Sequence, residues 1–273
     1  MRAFIVFLLS LFWAPLAFAQ ERQPSHCIAI ADALPGVEFI HRAAFDDPVA
    51  QDSLRIRYIT HAAFLVLSEG GASAVTDFTG YIGNVPFLPD VVTMNIGHDS
   101  HWTPSPDPAI PHVLKGWGNG SEGAEHHLTV KDMLIRNVPT DIRRAGGVGI
   151  KGNSIFVFEA AGLCVGHLGH LHHEPDDAQY AALGRLDVVM AAVDGGRTLD
   201  LPSMKRVLNR LKASVVIPMH WFGTGTLNQF LSDMSDSYLV ENKGDHALEI
   251  SLRTLPDRPT IVVLQPKYLM VEE

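Results

Sequence analysis

The chain has 273 residues, 47% of them hydrophobic and 19% charged, with a formal net charge of −9. Such a composition can bury a full core. The acidic balance argues against nucleic acid, whose affinity comes largely from Lys and Arg neutralising phosphates, and against docking on an anionic membrane surface.

The first residues read as an export signal. Arg2 supplies a short positive segment, an apolar run follows from Phe4 to Trp13, and Ala17-Phe18-Ala19 matches the small-x-small pattern of signal-peptidase cleavage. Residues 1–19 are therefore expected to be a signal peptide, with a periplasmic or secreted mature chain starting at Gln20; an uncleaved anchor is the alternative. No later segment approaches the roughly 20 apolar residues of a second span, so no membrane partner is expected after cleavage. Residues 20–52 read as a polar leader and 53–273 as one domain. The two cysteines, Cys27 and Cys164, either pair across a long loop or remain as a buried thiol and its distant counterpart. Neither has the CxxC spacing of a metal or redox motif.

Short strands come next. Residues 53–59 alternate, 63–67 are apolar, and Gly70-Gly71 turns the chain before a strand over 74–78. The nearly continuous apolar run 91–96 predicts a strand buried on both faces. Residues 103–123, rich in Pro and Gly, read as a long loop with a short strand at 112–114. A strand over 129–138, a Gly-rich loop over 145–152 and a hairpin of 153–159 with 163–168 follow. Helices are expected over 175–183, 201–211 (N-capped by Asp200) and 228–234. Strands are expected over 187–193, 215–219, 247–252 and 260–264. Strand runs followed by strand–helix–strand units point to a mixed α+β domain.

Of the 14 histidines, four stand at strand ends: His98 and His101 after 91–96, His170 after 163–168, and His220 after 215–219. Strand-end loops bring distant side chains together on a rigid frame. Neutral imidazole is a common zinc ligand, and three protein ligands plus an open position is the usual catalytic arrangement. A lone histidine at a strand end is more often structural; it is the four together that point to a metal. His126-His127 and His172-His173 read as solvent-facing or supporting. His61 either lines the same cleft or simply packs.

The segment Asp90 to His101 (DVVTMNIGHDSH) resembles the strand and HxHxDH loop of the metallo-β-lactamase superfamily. The segments Ile59 to Leu65, Asn153 to Leu171 and Val216 to His220 are similar, in order, to its UlaG-like hydrolase branch. The resemblance runs from about Ile56 to Met234. It implies a four-layer αββα sandwich with the active site along one edge of two packed sheets. It also implies that Asp77 braces the site.

The chain departs from this pattern at several ligands. Ile96 stands in place of the motif's first His and Ser100 in place of its Asp. No His lies near Asp141 or Ile142, where another ligand is implied. His170 stands where the family has Asp. The ligand set expected here is His101, His170 and His220 around one divalent ion, zinc preferred although Fe, Ni or Cu would also suit nitrogen donors. His98 would be a fourth ligand or a proton shuttle. Asp99 would either face the cleft as a catalytic group or cap the following turn. The function implied is a metal-dependent hydrolase acting through activated water on a small ester, lactone, amide or phosphodiester, with Trp102 and Trp117 walling the substrate. A degenerate, non-catalytic binding protein on the same fold is the alternative.

Overall fold

The computed structural model describes residues 23–29, 47–119 and 122–271; the expected signal peptide and most of the leader lie outside them. A short helix α1 (His26–Ala29) precedes β1 (Ser53–Thr60), β2 (Ala63–Ser68), β3 (Ser73–Val75), β4 (Gly83–Asn84), β5 (Val91–Met94) and β6 (His112–Lys115). Then come β7 (His127–Val130), β8 (Met133–Arg144), β9 (Gly147–Ala160), β10 (Leu163–His167), helix α2 (Asp177–Leu183) and β11 (Val188–Ala192). The remainder is helix α3 (Leu201–Leu211), β12 (Val215–Met219), helix α4 (Thr224–Met234), β13 (Leu239–Asn242), β14 (Ala247–Ser251), β15 (Thr260–Val263) and β16 (Leu269–Met270).

Two sheets result. One runs β14-β1-β2-β3-β5-β6 and the other β13-β15-β12-β11-β10-β9-β8-β7. Their inner faces meet in a core that sets Leu54, Ile56 and Phe64 of the first sheet against Phe156, Phe158, Met190 and Ile217 of the second. The outer face of the eight-stranded sheet is covered by helices. Val189, Val216 and Ile261 of the sheet pack with Leu183 of α2, Met204 and Val207 of α3, and Phe230 and Met234 of α4. The caps form where the sequence supplies them. Asp200 accepts from Ser203 N at 2.8 Å, and Asp176 forms a reciprocal capping box with Gln179.

The two large packed sheets are those of the implied sandwich, and loops and short strands lie over the outer face of the six-stranded sheet. Among the described residues its cover is a third cluster of loop and short-strand side chains, including Phe78, Ile82, Ile110 and Leu269, with Trp102 and Trp117 beside them. Prolines 86, 89, 104, 106, 108 and 111 fall in these segments. Inside a helix each would remove an N–H and clash with the preceding turn, which favours loops and short strands in these segments. Two local expectations change. Residues 129–138 are not one strand but turn at Lys131, whose φ is +53°, between β7 and β8. Residues 147–152, expected as loop, extend β9 and pair with β8 as Ile142↔Gly149 and Arg143↔Val148. Their glycines carry little strand preference of their own, but Ile142 and Arg144 side chains occupy the space a Cβ at Gly149 would need.

Cys27 and Cys164 form a disulfide that spans 137 positions, so the open choice between paired and free cysteines resolves as pairing. It fastens the leader segment to β10 under the helical layer. Beside it, buried Glu159 accepts from Arg136 Nε at 2.6 Å and from Ser25 Oγ at 2.5 Å. No helix among the described residues is long and apolar enough to cross a membrane.

Candidate metal centre

Strands β10, β11 and β12 run parallel. They therefore release their C-terminal loops at one edge of the sheet, where side chains from separate strands converge. His170 follows β10, Asp194 follows β11 and His220 follows β12. The other sheet brings His61 from the β1–β2 turn, Asp77 from beyond β3, and His98 and His101 from the loop after β5. The two sheets are stitched together at this edge. His220 N donates to His61 O at 2.9 Å, Ile96 pairs with Asn153, and Asn95 Nδ2 donates to Ser154 O at 2.8 Å. Gly169, with φ of +61°, is required here because a Cβ would lie 2.2 Å from Asn95 Nδ2.

His101 is fully buried. Its Nδ1 donates to Asp77 Oδ2 at 2.7 Å, and Asp77 Oδ1 accepts from Asn95 N at 2.9 Å. His101 Nε2 faces His220 Nε2 at 3.1 Å. Behind His220, its Nδ1 stands 2.9 Å from Asp194 Oδ2, in ion-pair reach though off the line of a hydrogen bond. Asp194 accepts from Gly196 N at 2.9 Å, Arg197 N at 2.6 Å and Thr198 Oγ1 at 2.8 Å. Burial opposes its charge, yet His220 and these donors hold its carboxyl below the usual range. His61 closes the group, its ring 3.9 Å from that of His220. Its Nε2 is buried with no hydrogen-bond partner. Donor atoms of His61, His101 and His220 all lie within 4.8 Å of one another.

Burial, then the neighbouring His220, pulls the His61 imidazole down to about 3 and that of His101 to about 2. Both rings are thus neutral and bear lone pairs at neutral pH. Burial pushes the Asp77 carboxyl up to about 6. The backbone is strained at three of these residues, with φ of +47° at His61, +43° at Asp77 and +62° at His220. Non-glycine residues in the left-handed region cost on the order of 1 kcal/mol or more each and gather at functional sites.

These donors fit a divalent ion. With its proton on Nδ1 toward Asp77, His101 turns a bare lone pair toward Nε2 of His220. Two such nitrogens at 3.1 Å repel unless a cation or a proton lies between them. Tetrahedral zinc with N–Zn of 2.0–2.1 Å separates its ligand nitrogens by about 3.3 Å. Histidine backed by carboxylate is the usual support of a zinc ligand, and the orphaned His61 Nε2 offers a third donor.

All four histidines expected from sequence gather here. His170 lies in ring contact with His101 at 4.8 Å and with His220 at 5.2 Å, and His98 stands 6.0 Å from His101. His98 and Asp99 are exposed, and His98 Nδ1 is 3.1 Å from Ser100 Oγ. Asp141 stands apart, its carboxylate accepting from Lys151 N at 2.7 Å. Trp102 and Trp117 meet edge-on at 5.6 Å, with Trp117 against Gly97. Sequence reasoning did not put His61 among the ligands and missed Asp194 altogether. The one available signal for Asp194 was an acid directly after a buried strand and before Gly195-Gly196.

Fold and site together define an α+β sheet sandwich with a histidine centre at its edge. Residues 55–220 match the Beta-lactamase superfamily domain, and the chain belongs to that superfamily. A Thermotoga maritima protein described as a Zn-dependent hydrolase of the metallo-β-lactamase superfamily is 28% identical, with a TM-score of 0.55 over 77% of this chain and 98% of that one. A Parabacteroides distasonis protein described as a metal-dependent hydrolase is 15% identical, with a TM-score of 0.52 over 67% of this chain and 89% of that one. The metallo-β-lactamase fold protein YhfI of Bacillus subtilis is 10% identical, with a TM-score of 0.50 over 80% and 98%. The last two likenesses speak to the fold alone. No curated protein matches the chain.

Proposed function

We propose that this chain is an exported metal-dependent hydrolase of the UlaG-like branch. It would hold one divalent ion, zinc preferred, on His61, His101 and His220. The observation that carries this reading is the facing pair of His101 Nε2 and His220 Nε2 at 3.1 Å, each ring backed by a buried carboxylate. A bound ion of this kind supplies an activated water near neutral pH and polarises the bond to be cleaved. The protein's part is to keep His101 neutral and aimed, through Asp77, and to hold His220 in place through Asp194. Exposed His98 stands at the rim, where it can pass a proton to solvent. Phe222, 63% exposed and 5.4 Å from both His61 and His220, offers an apolar lip to a small substrate. The order of the similar segments supports the branch, and the Cys27–Cys164 disulfide supports export, since such bonds persist in oxidising compartments.

The alternative, a non-catalytic binding protein, draws on Ile96, Ser100 and Asp141, which stand where the resemblance implies other metal ligands. The buried carboxylates behind two histidines, with three strained backbone positions in the cluster, weigh toward catalysis. Metal analysis of the purified protein, followed by a panel of ester, lactone, amide and phosphodiester substrates, tests the reading. About one equivalent of ion, lost in His101→Ala and His220→Ala, is expected. A protein that takes up no divalent ion under any loading condition would refute it.

A further inference from the structure

We propose that His170 is the hydrogen-bond donor of this site and not one of its metal ligands, its Nε2–H meeting a substrate carbonyl or phosphoryl oxygen beside the ion. The proposal rests on the metal-centre reading above and assigns the oxygen-binding group of that centre.

The argument is one of tautomers. Arg143 N–H donates to His172 Nδ1 at 2.7 Å. A ring nitrogen that accepts carries no proton, so His172 bears its proton on Nε2. That Nε2 lies 2.7 Å from His170 Nδ1, and a contact this short needs one donor and one acceptor. His172 donates, so His170 Nδ1 accepts, and the proton of His170 sits on Nε2. A protonated nitrogen has no lone pair to give an ion. His101 is wired the opposite way: a carboxylate, which only accepts, fixes its proton on Nδ1 and bares Nε2.

Two rings of one cluster thus take opposite roles from their outer partners, a backbone N–H relayed through His172 in one case and Asp77 in the other. His170 and His172 are both buried, so water does not scramble the relay. With Nδ1 turned to His172, Nε2–H is directed away from it, has no protein partner and is not sealed from solvent. The ring stands nearly perpendicular to His101 at 4.8 Å and to His220 at 5.2 Å, which places it beside the ligands. A preorganised N–H at that place suits an oxygen on which negative charge grows, and neutral imidazole serves as such a donor. The substrates favoured are therefore those with a carbonyl or phosphoryl oxygen at the scissile centre.

The test uses the full chain with isotope-labelled histidine rings. Without metal, nitrogen NMR should show His170 protonated at Nε2 and bare at Nδ1. His172→Leu should mix the two tautomers. His172→Gln, which can still accept from Arg143 N and donate to His170, should restore one. In zinc titrations His170→Ala should keep its affinity within about threefold, while His101→Ala and His220→Ala lose more than about 100-fold. Inorganic phosphate should bind zinc-loaded His170→Ala about tenfold more weakly, as expected for one charge-assisted hydrogen bond. A proton found on His170 Nδ1, or zinc loss in His170→Ala as deep as in His101→Ala, would overturn the assignment. A wild-type chain that binds no zinc overturns the metal reading and with it the role of His170 beside an ion, while the tautomer is still decided in the metal-free spectrum, so the two failures are distinguishable.

Discussion

His101 Nδ1 and Asp77 Oδ2 lie 2.7 Å apart, and neither side chain has any solvent exposure. Burial acts on both partners, pushing the carboxyl up and the imidazole down. The pair therefore survives as neutral imidazole donating to carboxylate, which is what a ligand nitrogen on the far side of the ring requires. Asp77→Asn keeps an acceptor but removes the charge and permits the other tautomer. Divalent-ion affinity should fall by about 10- to 100-fold, as for other groups that support a ligand, with little change in fold. Competition against a chelator measures this. Undiminished affinity would mean that Asp77 is only a packing group.

Asp77→Ala should do more than Asp77→Asn. It also strips Asn95 N, buried beside it, of its acceptor, at a cost of about 1–3 kcal/mol for an unsatisfied buried donor. Urea denaturation should separate the two variants by that amount, the alanine being the less stable.

Metal binding should stabilise the fold, because the donors come from both sheets and an unfolded chain cannot assemble them. At an ion concentration of roughly 100 times Kd the gain is about 2.7 kcal/mol, read as a rise in thermal midpoint. The rise should vanish in His220→Ala. An equal rise in that variant would place the ion elsewhere.

In the metal-free protein the same histidines predict an acid weakness. His61, His101 and His170 have folded values of about 3, 2 and 2, lowered first by burial, against 6.5 in the unfolded chain. For groups lowered in this way stability is full above 6.5 and is lost as pH falls toward the folded values. Each unit below 6.5 costs about 1.4 kcal/mol for a fully buried ring that stays neutral, and less for half-buried His61. Asp77, raised to about 6, works the other way and returns some stability below that pH. The net expectation is a urea midpoint that drops between pH 7 and 5, and drops less once divalent ion is added. A flat profile would show that these rings charge without opening the fold.

Much of the site was legible because strand ends are legible. Apolar runs stop abruptly at Ile96, Leu168 and Met219, and a histidine follows each within a few residues. Asp194 and His61 escaped for a common reason. Their roles depend on a partner from another strand, namely His220, and nothing in Val193-Asp194-Gly195 or Thr60-His61-Ala62 records that proximity. The β8–β9 extension escaped because its glycines are poor strand formers alone, and pairing with Ile142, Arg143 and Arg144 of β8 holds them.

The leader segment gives the last prediction. Ser25, His26 and Cys27 dock on Glu159 and Cys164, and Glu159 is held by Arg136, which also donates to Ala182 O and Leu183 O at the end of α2. Disulfide and ion pair thus fasten one patch from two sides. Opening a crosslink of 137 positions frees a large unfolded ensemble and should cost about 3–5 kcal/mol in the double variant Cys27→Ala, Cys164→Ala. Glu159→Gln leaves buried Arg136 without its counter-charge and should cost about as much, roughly 3–5 kcal/mol. Because both changes release the same segment, their effects should sum to less than the separate values. Urea unfolding of the disulfide variant, of Glu159→Gln and of their combination decides the point. Full additivity would mean that the crosslink and the ion pair stabilise independent parts of the fold.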